Sequence, residues 1–245
     1  ITPAHDPNDF EVGKRHNLKP IWVIDEEGKM KSCEEVHYAV QGLTREEARI
    51  KTVEMLQEKG RLVRIKPIEH NVGKCQRCNT TIEPLLSEQW FVRMEPLAKA
   101  AIAAIENGDI KFVPERWTKN YLGWMTNIRD WCISRQLWWG HQIPAYYNNE
   151  TGEMVVAKTN PDPTKYTQES DVLDTWFSSG LWPFSTMGWP NTESEDFKKF
   201  YPTSTLVTGY DIIFFWVARM ITMGEEFTKK APFSTVYIHG LIRDE

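Results

Sequence analysis

The sequence predicts an α/β fold with a parallel sheet near the C-terminus, joined to a β-rich segment near the N-terminus. The clearest observation is the order of segments across residues 203–240: apolar "TSTLVTG", then "DIIFFWVARMITMGEEF", then apolar "FSTVYIHG". Two apolar strands joined by a helix are expected to be parallel, with a right-handed connection. The middle segment is apolar on nearly all sides, which is typical of a buried helix.

Composition agrees with a globular protein that can bury a sizeable core. The chain has 245 residues, 41% hydrophobic and 26% charged, with eleven tryptophans that we expect to dominate the packing. A formal net charge of −5 argues against a general nucleic-acid-binding protein, which normally presents a basic surface. No apolar run is long enough to span a membrane, and no secretory leader is recognisable. We expect a reducing, cytoplasmic environment, because the four cysteines do not have the pattern of a disulfide framework.

The N-terminal part predicts strands and one helix. Residues 1–37 alternate polar clusters with short apolar runs, and we interpret them as strands and turns, with "DEEGK" as a hairpin turn. A helix is expected from Thr44, because its hydroxyl and the carboxylate of Glu47 have the spacing of a capping box. This helix should end at Gly60, a residue type common after helix C-termini.

The next elements follow from similar patterns. "RLVRIKPIEH" (61–70) predicts a strand that its proline confines to a sheet edge or ends. A second helix is expected from about Pro96, with an apolar stripe formed by Leu97, Ala101 and Ile105. Residues 148–170 are polar and rich in turn residues around one short apolar strand, which indicates a hairpin or surface excursion.

The ends of the two C-terminal strands form a candidate ligand site, because parallel sheets bind ligands beyond the carboxyl ends of their strands. These ends are residues 208–211 and 239–240. Asp211 has two interpretations there: a cap for the following helix, or an acceptor for a ribose hydroxyl. Neither G-x-G-x-x-G nor a P-loop is present, so a nucleotide would be held without either phosphate loop.

Two groups of acidic residues also have competing interpretations. His5, Asp6 and Asp9 in "TPAHDPNDFE" form either a polar loop or an anchor for an ammonium group and a hydroxyl of a substrate. Asp171 and Asp174 in "DVLDTW" could be mistaken for a glycosidase acid/base pair, but Asp in such positions is more often a helix cap. We therefore expect caps at this second group.

Cys75 and Cys78 have the C-x-x-C spacing of half a tetrahedral zinc site. Cys33 and Cys132 are potential partners, but neither belongs to a second such pair. The competing interpretation is two reduced thiols at a turn.

The aromatic residues indicate packing at most positions. We interpret the cluster "DWCISRQLWWGHQIPAYY" (130–147) as packing, with Arg135 and His141 available to polar partners. Trp176 and Trp216 are either ordinary core residues or, together with Ile212 one turn before Trp216, the lining of a small apolar pocket.

Several segments together resemble the valyl-tRNA synthetases, a family of class I aminoacyl-tRNA synthetases. The likeness runs nearly end to end and is strongest in "ITPAHDPNDFEVGKRHNL", "DVLDTWFSSGLWPFSTMGWP", "TGYDIIFFWVARM" and "VYIHGLIRDE". Isoleucyl and leucyl enzymes share the general plan, but "TGYDIIFFW" and "GHQIPAYY" resemble the valyl family most closely.

The resemblance implies a Rossmann-type catalytic domain interrupted by an inserted editing domain. Residues 1–66 would be the C-terminal part of the editing domain, 67–84 a junction that contains the C-x-x-C pair, and 85–245 the second half of the catalytic domain. The HIGH and KMSKS motifs of the family are absent from the chain. We therefore expect an internal fragment that is inactive in aminoacylation by itself.

The resemblance also assigns roles to individual residues, while it names no general base. The amino-acid pocket would consist of Trp176, Ile212 and Trp216. The adenylate would be bound by Gly209, Asp211, His239 and Gly240. The editing site would include Thr2, Asp6 and Asp9, of which Asp9 would hold the free amino group of the mischarged amino acid.

The implied activity is ligation of valine to tRNA(Val) with ATP and Mg²⁺, followed by hydrolysis of mischarged threonyl-tRNA. Editing is required because threonine has the shape of valine, so an apolar pocket rejects it weakly. Zinc is plausible in the parent protein, where Cys75 and Cys78 match half of a family site, and is doubtful in this chain. We expect a monomer. The alternatives are an isoleucyl-type synthetase fragment and a non-catalytic RNA-binding or zinc module.

Overall fold

A computed structural model describes residues 1–75 and 78–244, and the chain divides into a first unit, Ile1–Glu88, and a second unit, Gln89–Glu245. Among the described residues, none of the helices combines the length and the apolar character that crossing a membrane requires.

The first unit contains helices α1 (Pro7–His16) and α2 (Arg45–Glu58), with a short 3₁₀ turn at Tyr38–Val40. Its extended segments pair through single antiparallel bridges, one of which joins Ile24 to Met30 around the predicted "DEEGK" turn. A small apolar cluster holds the unit together, with Val36, Val40 and Ala48 buried.

The helix α1 corrects the prediction of strands and turns at the N-terminus. Asp6 caps this helix by accepting a hydrogen bond of 2.8 Å from the backbone N–H of Asp9. Pro7 occupies the first helical turn, where its missing N–H costs nothing. The dipeptide Asp6-Pro7 therefore starts a helix, whereas strands and turns were predicted for residues 1–37.

The predicted helix from Thr44 is confirmed, and the predicted strand after it is wrong. The Thr44 hydroxyl accepts from the N–H of Glu47, whose carboxylate accepts from the Thr44 N–H at 2.9 Å. Gly60 follows the helix with a φ of 62°, a left-handed conformation that glycine adopts without strain. Residues 61–70 form no regular element, and Val63 is 94% exposed. A strand needs a partner strand, and none pairs with this segment in the part of the chain that the structure describes.

The second unit contains the sheets and the remaining helices. Its helices are α3 (Met94–Glu106), α4 (Arg116–Thr126), α5 (Thr175–Gly180), α6 (Trp182–Ser185), α7 (Glu195–Phe200) and α8 (Ala218–Thr228). Its strands are β1 (Phe91–Val92), β2 (Lys111–Val113), β3 (Trp131–Cys132), β4 (Ser134–Arg135), β5 (Ala145–Asn148), β6 (Met154–Val156), β7 (Tyr166–Gln168), β8 (Val172–Leu173), β9 (Thr203–Gly209) and β10 (Phe233–His239).

The central feature of this unit is a three-stranded parallel sheet in the order β2-β10-β9. The β9–helix–β10 arrangement and the α/β fold were predicted, and the structure confirms both; the strand β2 was not predicted. Val236 of β10 and Phe112 of β2 point into the larger apolar core, together with buried residues of α3, α4 and α8 such as Ala101, Tyr121 and Ile221.

A second sheet occupies the predicted excursion, where β5 pairs antiparallel with both β6 and β7. Two short antiparallel pairs, β1–β3 and β4–β8, connect residues 131–135 to residues 91–92 and 172–173. The helix α3 begins at Met94, so that Pro96 lies in its first turn as expected.

The contact of α5 with α8 generates a prediction about two glycines. A Cβ added to Gly180, the last residue of α5, would lie 2.7 Å from Met223 Sδ and 3.2 Å from Arg219 Cβ. We expect Gly180→Ala to lower the free energy of unfolding by roughly 1–3 kcal/mol through overpacking. The control is Gly123→Ala in α4, where a Cβ meets open space. It should raise stability by about 0.5–1 kcal/mol.

Urea unfolding followed by tryptophan fluorescence measures both variants, since every tryptophan except Trp22 belongs to the second unit. Midpoints that move in the same direction for the two variants would contradict the close α5–α8 contact.

Candidate functional site

The carboxyl ends of β9 and β10 lie side by side, because Gly209 and His239 are paired in the parallel register. The chain then turns from Gly209 directly into a 3₁₀ turn, Tyr210–Ile212. A Cβ at position 209 would lie 2.5 Å from Asp211 Oδ1 and 3.3 Å from Leu241 Cδ2. Glycine is therefore required for the Asp211 carboxylate to fold back over the end of β9.

Asp211 is exposed and lies inside this turn, whereas the N-cap position belongs to Gly209. The interpretation of Asp211 as a helix cap is therefore wrong. His239 is also exposed, with its Nδ1 2.7 Å from the carbonyl oxygen of Gly240, and the space around Gly240 is open. The strand ends thus present a carboxylate, an imidazole and uncovered backbone at one edge.

The segment after this edge changes its helical geometry. The 3₁₀ turn is followed by a π-helical segment, Ile213–Val217, and then by α8. Trp216 lies in the π-helical segment, a geometry that often occurs at functional sites. Ile212, at the end of the 3₁₀ turn, is half-buried.

Both candidate pocket tryptophans lie on elements that touch. The Trp216 Nε1 donates a hydrogen bond of 2.9 Å to the carbonyl of Ser179 in α5. The ring of Trp176, in the first turn of α5, stacks on that of Phe215 with centroids 5.9 Å apart. Both indoles are half-buried. The fold thus brings these residues to neighbouring elements and leaves part of each ring accessible.

Asp174 fixes the start of α5. Its carboxylate accepts from the Trp176 N–H at 3.5 Å, which confirms the predicted cap. The same buried carboxylate accepts from Trp131 Nε1 at 2.9 Å and forms an ion pair of 2.9 Å with Arg135. Asp171 is not a helix cap, because it precedes the strand β8 and accepts instead from the Gln136 amide at 2.6 Å.

The sequence analysis did not identify Trp131 and Arg135 as the partners of Asp174, although their spacing indicates that they share a face. Trp131, Ile133 and Arg135 alternate along β3 and β4, so the period of two places them on one face. The packing interpretation of residues 130–147 is correct for the buried Trp131 but wrong for two others: Trp138 and Trp139 are 101% and 88% exposed.

In the first unit, Thr2, Asp6 and Asp9 come together at the start of α1. The backbone N–H and the hydroxyl of Thr2 donate to Asp9 Oδ2 at 2.6 and 3.1 Å. The hydrogen bond from the Thr2 N–H is the main cause that lowers the pKa of Asp9, which keeps this carboxylate ionised near neutral pH. His5 ties the same loop to the Val23 backbone, whose N–H donates to His5 Nε2 at 2.9 Å.

Cys75 and Cys78 lie on a tight turn, where the Asn79 N–H donates to the Cys75 carbonyl at 2.8 Å. Hydrogen bonds from the hydroxyl and the N–H of Thr80 lower the pKa of Cys78 to about 7, so a thiolate forms readily. Gln76 and Arg77, between the cysteines, lie outside the described residues.

The thiol pair fits half of a tetrahedral zinc site. Cys132 belongs to the second unit, where its thiol contacts Gln89 Oε1 at 3.8 Å. The part of the chain that the structure describes contains no group of three or more potential metal ligands. The turn therefore offers two cysteine side chains and would need two further ligands to close a structural site.

Comparison with known proteins gives a consistent result. The family model for class I tRNA synthetases (I, L, M and V) matches residues 65–164 and 157–245. The chain is 60% identical over 247 residues to a valine–tRNA ligase of Bacillus subtilis, and 56% identical over 250 residues to that of Solibacter usitatus.

These alignments cover 100% of this chain but only 28% and 29% of the two relatives, so the chain spans less than a third of their length. Among solved structures, a Mycobacterium tuberculosis methionyl-tRNA synthetase bound to methionyl-adenylate is 19% identical, with a TM-score of 0.48. That match covers 71% of this chain and 30% of the other.

Proposed function

The chain belongs to the class I tRNA synthetases of the isoleucine, leucine, methionine and valine group, and from this membership we propose that it is part of an enzyme that charges tRNA(Val) with valine. The observation that carries the proposal is the placement of two half-buried indoles, Trp176 and Trp216, on touching elements beside the carboxyl end of β9. The identity of 60% to a valine–tRNA ligase supports valine as the amino acid.

The proposed pocket selects an aliphatic side chain by its shape. Trp176, Trp216 and Ile212 would surround the isopropyl group, and their apolar surfaces would stabilise it by excluding water. The hydrogen bond from Trp216 Nε1 to Ser179 supports this arrangement, because it leaves the indole no free donor to face the ligand.

The nucleotide would lie along the neighbouring strand ends. The Asp211 carboxylate, which Gly209 allows to fold over the end of β9, can accept hydrogen bonds from ribose hydroxyls. The exposed His239 and the open space around Gly240 leave room for the adenylate at the neighbouring strand end. In the reaction, the carboxylate of valine attacks the α-phosphate of ATP, which enters with Mg²⁺, and pyrophosphate leaves. A hydroxyl of the tRNA then attacks the carbonyl carbon of the valyl-adenylate, which forms valyl-tRNA and releases AMP. These residues would contribute positioning, and no protein nucleophile is needed.

For the first unit, we propose that Thr2, Asp6 and Asp9 belong to an editing site for threonyl-tRNA. The ionised carboxylate of Asp9 at the start of α1 is suited to the ammonium group of an amino acid, because a charge-assisted hydrogen bond is stronger than a neutral one. The proposed boundaries are 1–66 for the editing part, 67–84 for the junction and 85–245 for the catalytic part.

Other properties of the parent protein are proposed from the family alone. They are a cytoplasmic location, a monomeric state, and zinc held by Cys75 and Cys78 together with two ligands from elsewhere in the parent. We also propose that this chain alone does not activate valine.

The amino-acid assignment is tested by ATP–pyrophosphate exchange with the intact parent protein. We expect exchange with valine and a much lower kcat/KM with isoleucine. Trp216→Ala should raise the KM for valine by at least about tenfold while the KM for ATP stays unchanged, because the ring contacts only the amino acid. Trp182→Ala is the control, since Trp182 is 57% exposed and outside the pocket.

Exchange that favours isoleucine would support the isoleucyl-type alternative. Absence of exchange with any amino acid, combined with salt-sensitive tRNA binding, would support an RNA-binding module.

The editing proposal is tested by deacylation of threonyl-tRNA(Val) by the intact parent. We expect Asp9→Asn to slow hydrolysis at least about tenfold, because the neutral amide loses the charge-assisted contact to the ammonium group, while valine activation is unchanged. Glu11→Gln, which removes an exposed charge from the same helix, should hydrolyse threonyl-tRNA at the normal rate. Normal hydrolysis by Asp9→Asn would refute the role of Asp9.

A further inference from the structure

Arg219 is the buried charge of α8 that the proposed reaction does not use. Only 8% of its surface is exposed, and its Nη1 contacts Met94 Sδ at 3.5 Å. Burial lowers the pKa of Arg219 to about 10, although the charge of Asp174 acts in the opposite direction. The guanidinium therefore remains charged at neutral pH within an apolar environment.

Two indole rings enclose this guanidinium. Its central carbon lies 4.0 Å from the ring centroid of Trp131 and 5.4 Å from that of Trp124. A cation over the face of tryptophan is attracted by the ring quadrupole, and the attraction is larger when the pair is desolvated. Arginine suits this position better than lysine, because a planar guanidinium can stack on an aromatic ring and an ammonium group cannot.

The stack continues beyond both indoles. Trp124 stacks on Phe214 with centroids 5.1 Å apart, and Trp131 packs on Phe177 at 5.9 Å. The order is thus Phe214, Trp124, Arg219, Trp131 and Phe177, which we name the aromatic column. Its first two rings pack on the larger core cluster, and its last two belong to the second apolar cluster. Arg219 joins the two clusters.

The ends of the aromatic column adjoin the proposed amino-acid pocket. Phe214 lies in the π-helical segment two residues before Trp216, and Phe177 follows Trp176 in α5. Trp131 also donates its Nε1 to Asp174, the residue that caps α5. A shift of any ring in the column would therefore shift the backbone that carries Trp176 or the backbone that carries Trp216.

We propose that Arg219 is a positioning residue that sets the separation of Trp176 and Trp216 through the aromatic column, and so determines which side chain the pocket accepts. Arg219 does not touch the amino acid. The inference rests on the proposed function for the identity of that amino acid.

A neighbouring cavity explains why stacking is needed to hold the rings. It has a volume of about 140 Å³, and its lining is mainly apolar, with Trp131, Phe177 and Met223 beside Arg219. Thr222 and Glu226 also line it. Rings next to such a space are not confined by close packing on that side. Asp174 holds one edge of the Trp131 ring through its Nε1, and the cation over the ring face supplies the constraint that packing omits on the side of the cavity.

The test uses the intact parent enzyme and its valine-dependent ATP–pyrophosphate exchange. Arg219→Met keeps an unbranched apolar stem and removes the charge with its planar group. Phe177→Leu removes the terminal ring. Both should raise the KM for valine by about tenfold or more, with kcat and the KM for ATP unchanged, and both should improve isoleucine relative to valine. Arg219→Lys should have a smaller effect, because the charge remains without the planar stack.

The matched control is Lys199→Met, which removes a cation lying over the Phe200 ring at 5.1 Å on the exposed surface. It should keep the wild-type KM for valine. A purely structural role for Arg219 lowers the amount of active enzyme, and therefore the apparent kcat, at an unchanged KM. That result, or an unchanged KM for valine in Phe177→Leu, would overturn the proposal. If wild-type enzyme shows no exchange with valine, the proposed function fails instead.

Discussion

The parallel pairing of β10 with β9 is the constraint on which the candidate site depends. This register places Gly209 beside His239, so that two strands end at one edge, and it commits the intervening chain to cross one face of the sheet. Because the crossover starts immediately at the end of β9, its first turns carry Asp211, Ile212 and Trp216 past the same edge. A slip of the register would separate Gly209 and Asp211 from His239 and Gly240.

A second requirement is that α5 must reach the crossover from a distant part of the sequence. The buried carboxylate of Asp174 meets this requirement, because it joins Trp131, Arg135 and the first turn of α5 at one point. A buried carboxylate is tolerated only when it is paired and hydrogen-bonded. The contacts that pair this buried carboxylate are therefore the same ones that position α5, which carries Trp176. The guanidinium of Arg219 is a second buried charge, which the rings of Trp124 and Trp131 stabilise.

The elements that the sequence predicted are those governed by local rules. The capping box at Thr44 and the strand–helix–strand pattern at 203–239 need only short-range information, and the structure confirms them. The short strand β2 was missed because only the pairing with β10 makes its three residues a strand. The exposure of Trp138 and Trp139 could not be predicted either, since indoles are usually buried and nothing local distinguishes those that are not. Arg219 appeared only as an interruption of an apolar run, and its stacking partners lie on α4 and β3, far away in sequence.

The most direct measurement is a crystal structure of the intact parent protein with a non-hydrolysable valyl-adenylate analogue. We expect the isopropyl group to lie between Trp176 and Trp216 and the ribose hydroxyls to contact the Asp211 carboxylate at the end of β9. An analogue bound away from this edge, or an isopropyl group in contact with neither indole, would contradict it.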